Sequence, residues 1–221
     1  MLNVIYEDNH LLVVEKPVNI LSQGDNTNDD DMVNLLKKYL KEKYNKPGNV
    51  FVGLVHRLDR PVGGIMVFAK TSKAASRLSE QVRNKTFKKI YKAVLHGEMK
   101  KKQDNLSDYL YKDKKTNMVS VVNKNHKDAK DAKLSYKTLA SNNGFSIVEI
   151  DLQTGRPHQI RVQFSSRNHP LYGDQRYGKN VNKKGQQIAL WSYKIEIEHP
   201  TKKEKMEFVC EPPNKYPWNM F

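Results

Sequence analysis

His56-Arg57-Leu58-Asp59-Arg60-Pro61-Val62-Gly63-Gly64-Ile65-Met66-Val67-Phe68-Ala69-Lys70 sets a carboxylate between two arginines, then a turn, then a short apolar run. Pro61 and the paired glycines mark the turn. Ile65 to Ala69 is too short for a long helix and predicts a buried strand. Asp59 is therefore expected at the end of one strand and the start of a turn, a rigid place from which to present a reactive group. The flanking cations Arg57 and Arg60 favour its ionised form. Taken alone, the same residues describe a structural aspartate salt-bridged in a surface turn, the commoner meaning of Asp beside Arg.

The composition bounds what this turn can belong to. At 221 residues the chain is long enough for one domain with a sizeable core, undivided or in two lobes. Lys and Arg number 39 against 24 Asp and Glu, a formal charge of +15. Such an excess fits a polyanionic partner, nucleic acid first, although a protein that is basic only for solubility has the same balance. Cys210 is the only cysteine, which excludes an intrachain disulfide and a cysteine-rich metal cluster and fits a reducing compartment. Met1 to Asn9 lacks the basic start and apolar stretch of a signal peptide, and no apolar run approaches a membrane span. A cytoplasmic protein without membrane contact is expected.

Short strands dominate the chain on both sides of the turn. Val4 to Tyr6 and Leu11 to Glu15 predict two strands and a turn, and Asn19 suits a left-handed position. Gly24 to Asp31 is polar and acidic, but it lacks the glycine and the closing glutamate of a calcium loop and is read as a loop whose last Asp caps a helix. That helix carries Val33, Leu36, Tyr39 and Leu40 at helical spacing and ends at Pro47-Gly48. Ser72 to Asn84 predicts a second helix with Ala75, Leu78 and Val82 on one face. Thr86 to His96 predicts a long strand. Lys100 to Lys133 is rich in charge and, Met118 to Val122 apart, poor in apolar residues; it is read as a projecting hairpin and loops. Leu134 to Leu139 and Phe145 to Leu152 are strands joined at Asn142-Asn143-Gly144. Ile188 to Ile197 and Met206 to Val209 complete the set.

Residues 154 to 161 read Thr154-Gly155-Arg156-Pro157-His158-Gln159-Ile160-Arg161. Pro157 suits the first position of a helix that carries Ile160 and Phe164 inward. Together with residues 56 to 70, this stretch resembles the RluA family of RNA pseudouridine synthases. The family's H-R-L-D, glycine-bearing turn and apolar strand ending in Ala-Lys match residues 56 to 70, and its G-R-x-H-Q-I-R matches Gly155 to Arg161. Asp8-Asn9 through Lys16-Pro17 is similar to its opening strand pair. Lys89-Ile90-Tyr91-Lys92-Ala93 is similar to its Lys-x-Tyr strand, and His169-Pro170-Leu171-Tyr172-Gly173-Asp174 to the segment after its helix. The resemblance covers nearly the whole chain, and five motifs in order make it specific. Where the family has Thr-Ser-Gly, this chain has Val62-Gly63-Gly64. Two hydroxyls near the turn are missing, which bears on rate or substrate choice more than on reaction class.

The resemblance implies an α+β pseudouridine synthase fold: a mixed, mainly antiparallel sheet with flanking helices and a central catalytic cleft, in a single catalytic domain over residues 1–221. Some relatives carry an N-terminal S4-like RNA-binding domain; here the catalytic motifs begin at once, so none is expected. It implies isomerisation of specific uridines in ribosomal or transfer RNA, with no cofactor and no metal, and a monomer is favoured. Asp59 matches the catalytic aspartate, acting as nucleophile on the sugar or base or by taking a proton from the sugar. Arg161 matches the arginine whose guanidinium holds that carboxylate. Tyr91 matches the tyrosine whose ring stacks on the flipped uracil. Arg57 matches the residue that fills the gap left by the extracted base. Arg60, Arg156, His158, Lys16 and Lys70 are assigned to RNA binding and support.

Three rival classes fit less well. An RNA-binding module that had lost catalysis would lack the carboxylate or its arginine, and both are present. A metal-dependent nuclease needs a ligand cluster, and His56, His158 and His169 lack local ligand spacing. A glycoside hydrolase needs two facing carboxylates, and one stands out.

Overall fold

Asp, Asn and Gly at the turns and β-branched residues between them give a chain made mostly of strands. The computed structural model describes residues 2–27 and 29–221; the parts of the readings above that fall on Met1 and Asn28 lie outside the described residues. In chain order the elements are β1 (Asn3–Glu7), β2 (Leu11–Lys16), α1 (Met32–Lys43), β3 (Gly53–Leu54), β4 (Gly63–Ala69), α2 (Ser72–Arg83), β5 (Lys88–His96), β6 (Gln103–Lys112), β7 (Val119–Val122), β8 (Lys130–Asn142), β9 (Phe145–Leu152), α3 (Gln159–Ser165), β10 (Leu190–Glu198) and β11 (Lys205–Val209), with a final 3-10 turn at Trp218–Met220. Among the described residues no helix is long and apolar enough to cross a membrane. The chain divides into two units, Met1–Lys88 with Ser192–Glu211, and Lys89–Trp191 with Pro212–Phe221.

In the first unit the strands run in the order β1-β2-β4-β10, with β11 paired to β10 and β3 to β4. Asp8 closes the β1–β2 hairpin by accepting the N–H groups of His10 and Leu11, both at 2.7 Å. Asp31 caps α1 by accepting from the Asn34 N–H. Met32, Leu36 and Leu40 form its buried stripe, one position off the expected one at its start. Thr71 caps α2, which buries Ala74 and Leu78. Every residue of β4 is buried, as a central strand requires. Gly64 at its start has φ +113°, and a Cβ there would lie 2.3 Å from the carbonyl oxygen of Ser192. Only glycine fits so close to another backbone. The glycine that the turn requires is therefore Gly64.

In the second unit the order is β5-β9-β8-β6-β7, antiparallel throughout. Asn143 (φ 50°) and Gly144 (φ 76°) form the two-residue turn between β8 and β9, as their sequence predicts. Residues 100 to 133, read as a projecting hairpin and loops, contain the antiparallel β6–β7 hairpin and the start of β8, and β6 also pairs with β8, which joins the hairpin to the sheet. That the sequence does not show the full length of β6 has a physical cause. Only Leu106 and Leu110 of β6 are buried, so the strand shows too few apolar residues to stand out from a charged run. Leu110, Val119, Ala132 and Val162 pack as a small core beneath α3.

Candidate active site

Asp59 sits five residues beyond the end of β3 and opens a turn closed by the Val62 N–H donating to its carbonyl at 2.9 Å. Its neighbours are anchored on both sides. The Ser22 hydroxyl donates to the Leu58 carbonyl at 2.8 Å and accepts the Leu58 N–H at 3.0 Å. The Arg60 carbonyl receives the Asn19 N–H at 2.9 Å and the Lys16 ammonium at 3.0 Å. Asn19 adopts φ 66°, the left-handed position expected of it. His56 is buried and accepts the Val67 N–H through Nε2 at 3.0 Å, which ties the loop to β4.

Four of the expected cations lie in the first unit. Lys16 is fully buried, and its ammonium also donates to the Pro17 carbonyl at 2.9 Å. Burial pushes its pKa down to about 7; the nearby charge of Asp59 acts in the opposite direction, and that of Arg60 in the same one. The expectation that Lys16 reaches a phosphate is thus replaced by a lysine spent inside the protein, because its short path from β2 ends among backbone carbonyls. Lys70 likewise pairs with Glu7 at 2.7 Å and is almost covered. Glu7 also binds Lys43, Tyr39 and Tyr44. Burial alone would raise its carboxyl pKa, but these partners hold it at about 2. Arg57 and Arg60 are exposed; Arg60 meets Asp29 at 2.7 Å and the Asn19 carbonyl at 3.2 Å.

The second unit contains the other expected residues. Tyr91 lies on β5 opposite Ile150 of β9 and is buried. Arg161 lies on α3 and is buried, and it grips Asp174 side-on: Nε donates to Oδ2 and Nη2 to Oδ1, both at 2.8 Å. Asp174 also accepts the N–H groups of Arg176 and Tyr177. Burial would push this carboxyl up, but the Arg161 guanidinium and the two backbone donors hold it below the usual carboxylate range. The Arg161 guanidinium carbon lies 5.2 Å from the centre of the Tyr177 ring. The Tyr177 hydroxyl meets His158 Nδ1 at 2.7 Å and accepts the Val119 N–H at 3.0 Å. Arg156 donates from Nε to the Asp131 carbonyl at 2.8 Å. The helix begins two residues later than Pro157 suggested. His158, at φ 51°, is its cap, and a turn from Arg156 to Gln159 precedes it.

Asp59, Lys16 and Arg60 are thus gathered in the first unit. In the second, Arg161 and His158 are joined through Tyr177, with Asp174 on the same arginine. The sequence reading missed Ser22 and Tyr177. Ser22 carries no pattern, and Tyr177 stands three residues beyond the quoted His169–Asp174 segment. Among the described residues no three His, Cys, Asp or Glu side chains converge as a metal site requires.

Comparison with known proteins gives these residues a context. Residues 10–166 match the family model described as RNA pseudouridylate synthase. A Bacillus subtilis protein named uncharacterized RNA pseudouridine synthase YhcT is 34% identical over 215 residues, covering 96% of this chain and 68% of that protein. The ribosomal large subunit pseudouridine synthase D of Borreliella burgdorferi is 32% identical over 218 residues, covering 96% of this chain and 66% of that one. The chain therefore spans about two thirds of the length of these curated relatives. The solved structure of human RNA pseudouridylate synthase domain containing 4 aligns with TM-score 0.78 at 20% identity, over 96% of this chain and 88% of that one. That of domain containing 1 aligns with TM-score 0.76 at 23% identity, over 98% and 85%. At such identities the likeness speaks for the fold, which is the α+β pseudouridine synthase fold.

Proposed function

Since the chain belongs to the RNA pseudouridylate synthase family and is by that membership an isomerase, we propose that it converts specific uridines of ribosomal RNA to pseudouridine with Asp59 as the catalytic carboxylate. The ribosomal target follows from relatives named as ribosomal large subunit pseudouridine synthases in Borreliella and Buchnera. The observation that carries the reading is the anchored turn. Leu58 and Arg60 are both fixed through their backbones, and Asp59 between them stands on a rigid support within the matched residues 10–166. A group that must meet one reacting atom and no other needs this fixity.

The reaction detaches uracil from its ribose, turns it and rejoins it through carbon, so atoms balance without an oxidant or a second substrate. Asp59 supplies the carboxylate. Arg161 serves the reaction as a fixed positive charge, its guanidinium plane set by Asp174. Tyr91 stacks on the extracted base, and Arg57 fills the gap it leaves. With Lys16 and Lys70 spent on protein acceptors, phosphate contact falls to Arg57 and Arg60 in the first unit and to Arg156 and His158 in the second. Both units serve one catalytic domain, which works as a monomer in the cytoplasm.

The test is a map of pseudouridines in total RNA from cells with and without the gene. A few ribosomal sites should disappear and return when the parent gene, but not Asp59→Asn, is restored. Loss confined to transfer RNA would move the target, and an unchanged map would overturn the reading.

A further inference from the structure

Tyr177 meets Arg161, His158 and Asp174 at once. Its ring lies beneath the Arg161 guanidinium, 5.2 Å from centroid to carbon. Its body packs against the core of Leu110, Val119, Ala132 and Val162. Its carbonyl accepts the Ser165 hydroxyl at 2.6 Å, which locks it to the helix that carries Arg161. Its own N–H donates to the same Asp174 carboxylate oxygen, Oδ1, that receives Arg161 Nη2. The hydroxyl oxygen accepts the Val119 N–H at 3.0 Å and lies 2.7 Å from His158 Nδ1.

The hydroxyl has a single proton, and Val119 occupies one of the oxygen's two lone pairs. An O–H directed at Nδ1 makes that nitrogen the acceptor and leaves the imidazole's own proton on Nε2. We propose that Tyr177 is a positioning residue for both motif side chains: its hydroxyl sets the ring orientation and tautomer of His158, and its face, with Asp174, sets the plane of Arg161. The inference rests on the proposed roles of Arg161 and His158. The left-handed backbone of His158, φ 51°, strengthens it. A residue in that uncommon conformation presents its side chain in a direction ordinary helix starts do not, and such strain persists only where surrounding contacts hold it.

The experiment is a double-mutant cycle on full-length protein with ribosomal RNA as substrate. Tyr177→Phe removes the hydroxyl and keeps the ring, so kcat should fall about tenfold with the RNA KM within about twofold, since misplacement acts on turnover. In a His158→Ala background the same change should cost less than about twofold, because contacting residues couple. Tyr177→Leu removes the ring as well and should still cost about tenfold in that background, through Arg161. A merely structural tyrosine gives the same fold-loss in both backgrounds, with the loss tracking the unfolding midpoint; that result overturns the proposal. Should Tyr177→Leu fail to fold, the Phe cycle decides. Arg161→Lys is measured beside it. Near-parent turnover there counts against the role given to Arg161 itself, and the Phe cycle still judges the coupling to His158.

Discussion

The loop carrying Asp59 is tied down through its backbone, whereas Arg161 is tied down through its side chain. Around Asp59, Ser22, Asn19 and Lys16 all bind main-chain groups of Leu58 and Arg60. Around Arg161, a buried carboxylate and a tyrosine ring bind the guanidinium itself. The difference fits the two tasks proposed for them. A reacting carboxylate has to keep its oxygens for chemistry, so its position is best fixed by atoms that are not its own. A guanidinium that only holds charge can give one edge to the protein.

Substitutions should separate the two regimes. Asp59→Asn changes the reacting group and none of the backbone anchors, so it should abolish turnover while leaving the unfolding midpoint within a degree or two of the parent, as expected for a change of under about 0.5 kcal/mol. Measurable turnover above a no-enzyme control would remove Asp59 from the chemistry. Asp174→Ala should lower both quantities. It leaves a buried guanidinium without its carboxylate, which costs about 3–5 kcal/mol of stability, and it frees the Arg161 plane. A variant that unfolds at the parent's denaturant midpoint would show that the clamp is not structural.

Ser22→Ala tests the first regime at its anchor. The buried N–H and carbonyl of Leu58 lose their partner, a loss of about 1–3 kcal/mol, read by denaturant unfolding. Turnover should fall much less than in Asp59→Asn. If it falls as far with no loss of stability, the loop is not held in the way its hydrogen bonds imply.

A further effect is one of pH. Folding lowers the Lys16 pKa from 10.5 to about 7. Between those values the unfolded chain binds a proton that the folded chain does not, so stability rises with pH across the window. Relative to Lys16→Met, the parent should therefore gain stability from pH 7 towards 10, by at most about 1.4 kcal/mol per pH unit. A difference that stays flat, or falls, would place a charged ammonium in the fold at every pH.

What the sequence made legible follows from where each signal resides. Strands with apolar runs, such as Ile65 to Ala69, and turns with left-handed residues, such as Asn143-Gly144, announce themselves locally. Asp59 and Arg161 stood out as candidates through the residues that flank them. The full length of β6 did not, because a strand with two buried leucines and charged neighbours looks partly like a loop. Lys16 was misread for the converse reason: lysine is almost always exposed, and nothing in its neighbours shows that its ammonium ends on two carbonyls. Ser22 and Tyr177 act through contacts 36 and 19 residues away in sequence, distances over which no periodicity operates.

Gly64 meets Ser192 at backbone distance, and the Ser192 hydroxyl donates to the Ile65 carbonyl across 127 residues of chain. During synthesis that separation becomes time. At about 5–20 residues per second, the residues that cover this end of β4 emerge on the order of 6–25 s after it does. Until then an entirely apolar strand presents unpaired main-chain groups along part of one edge, a template for joining other chains. Nascent chains halted before residue 192 should accordingly stay bound to chaperones or aggregate when released, and chains halted beyond residue 211 should not.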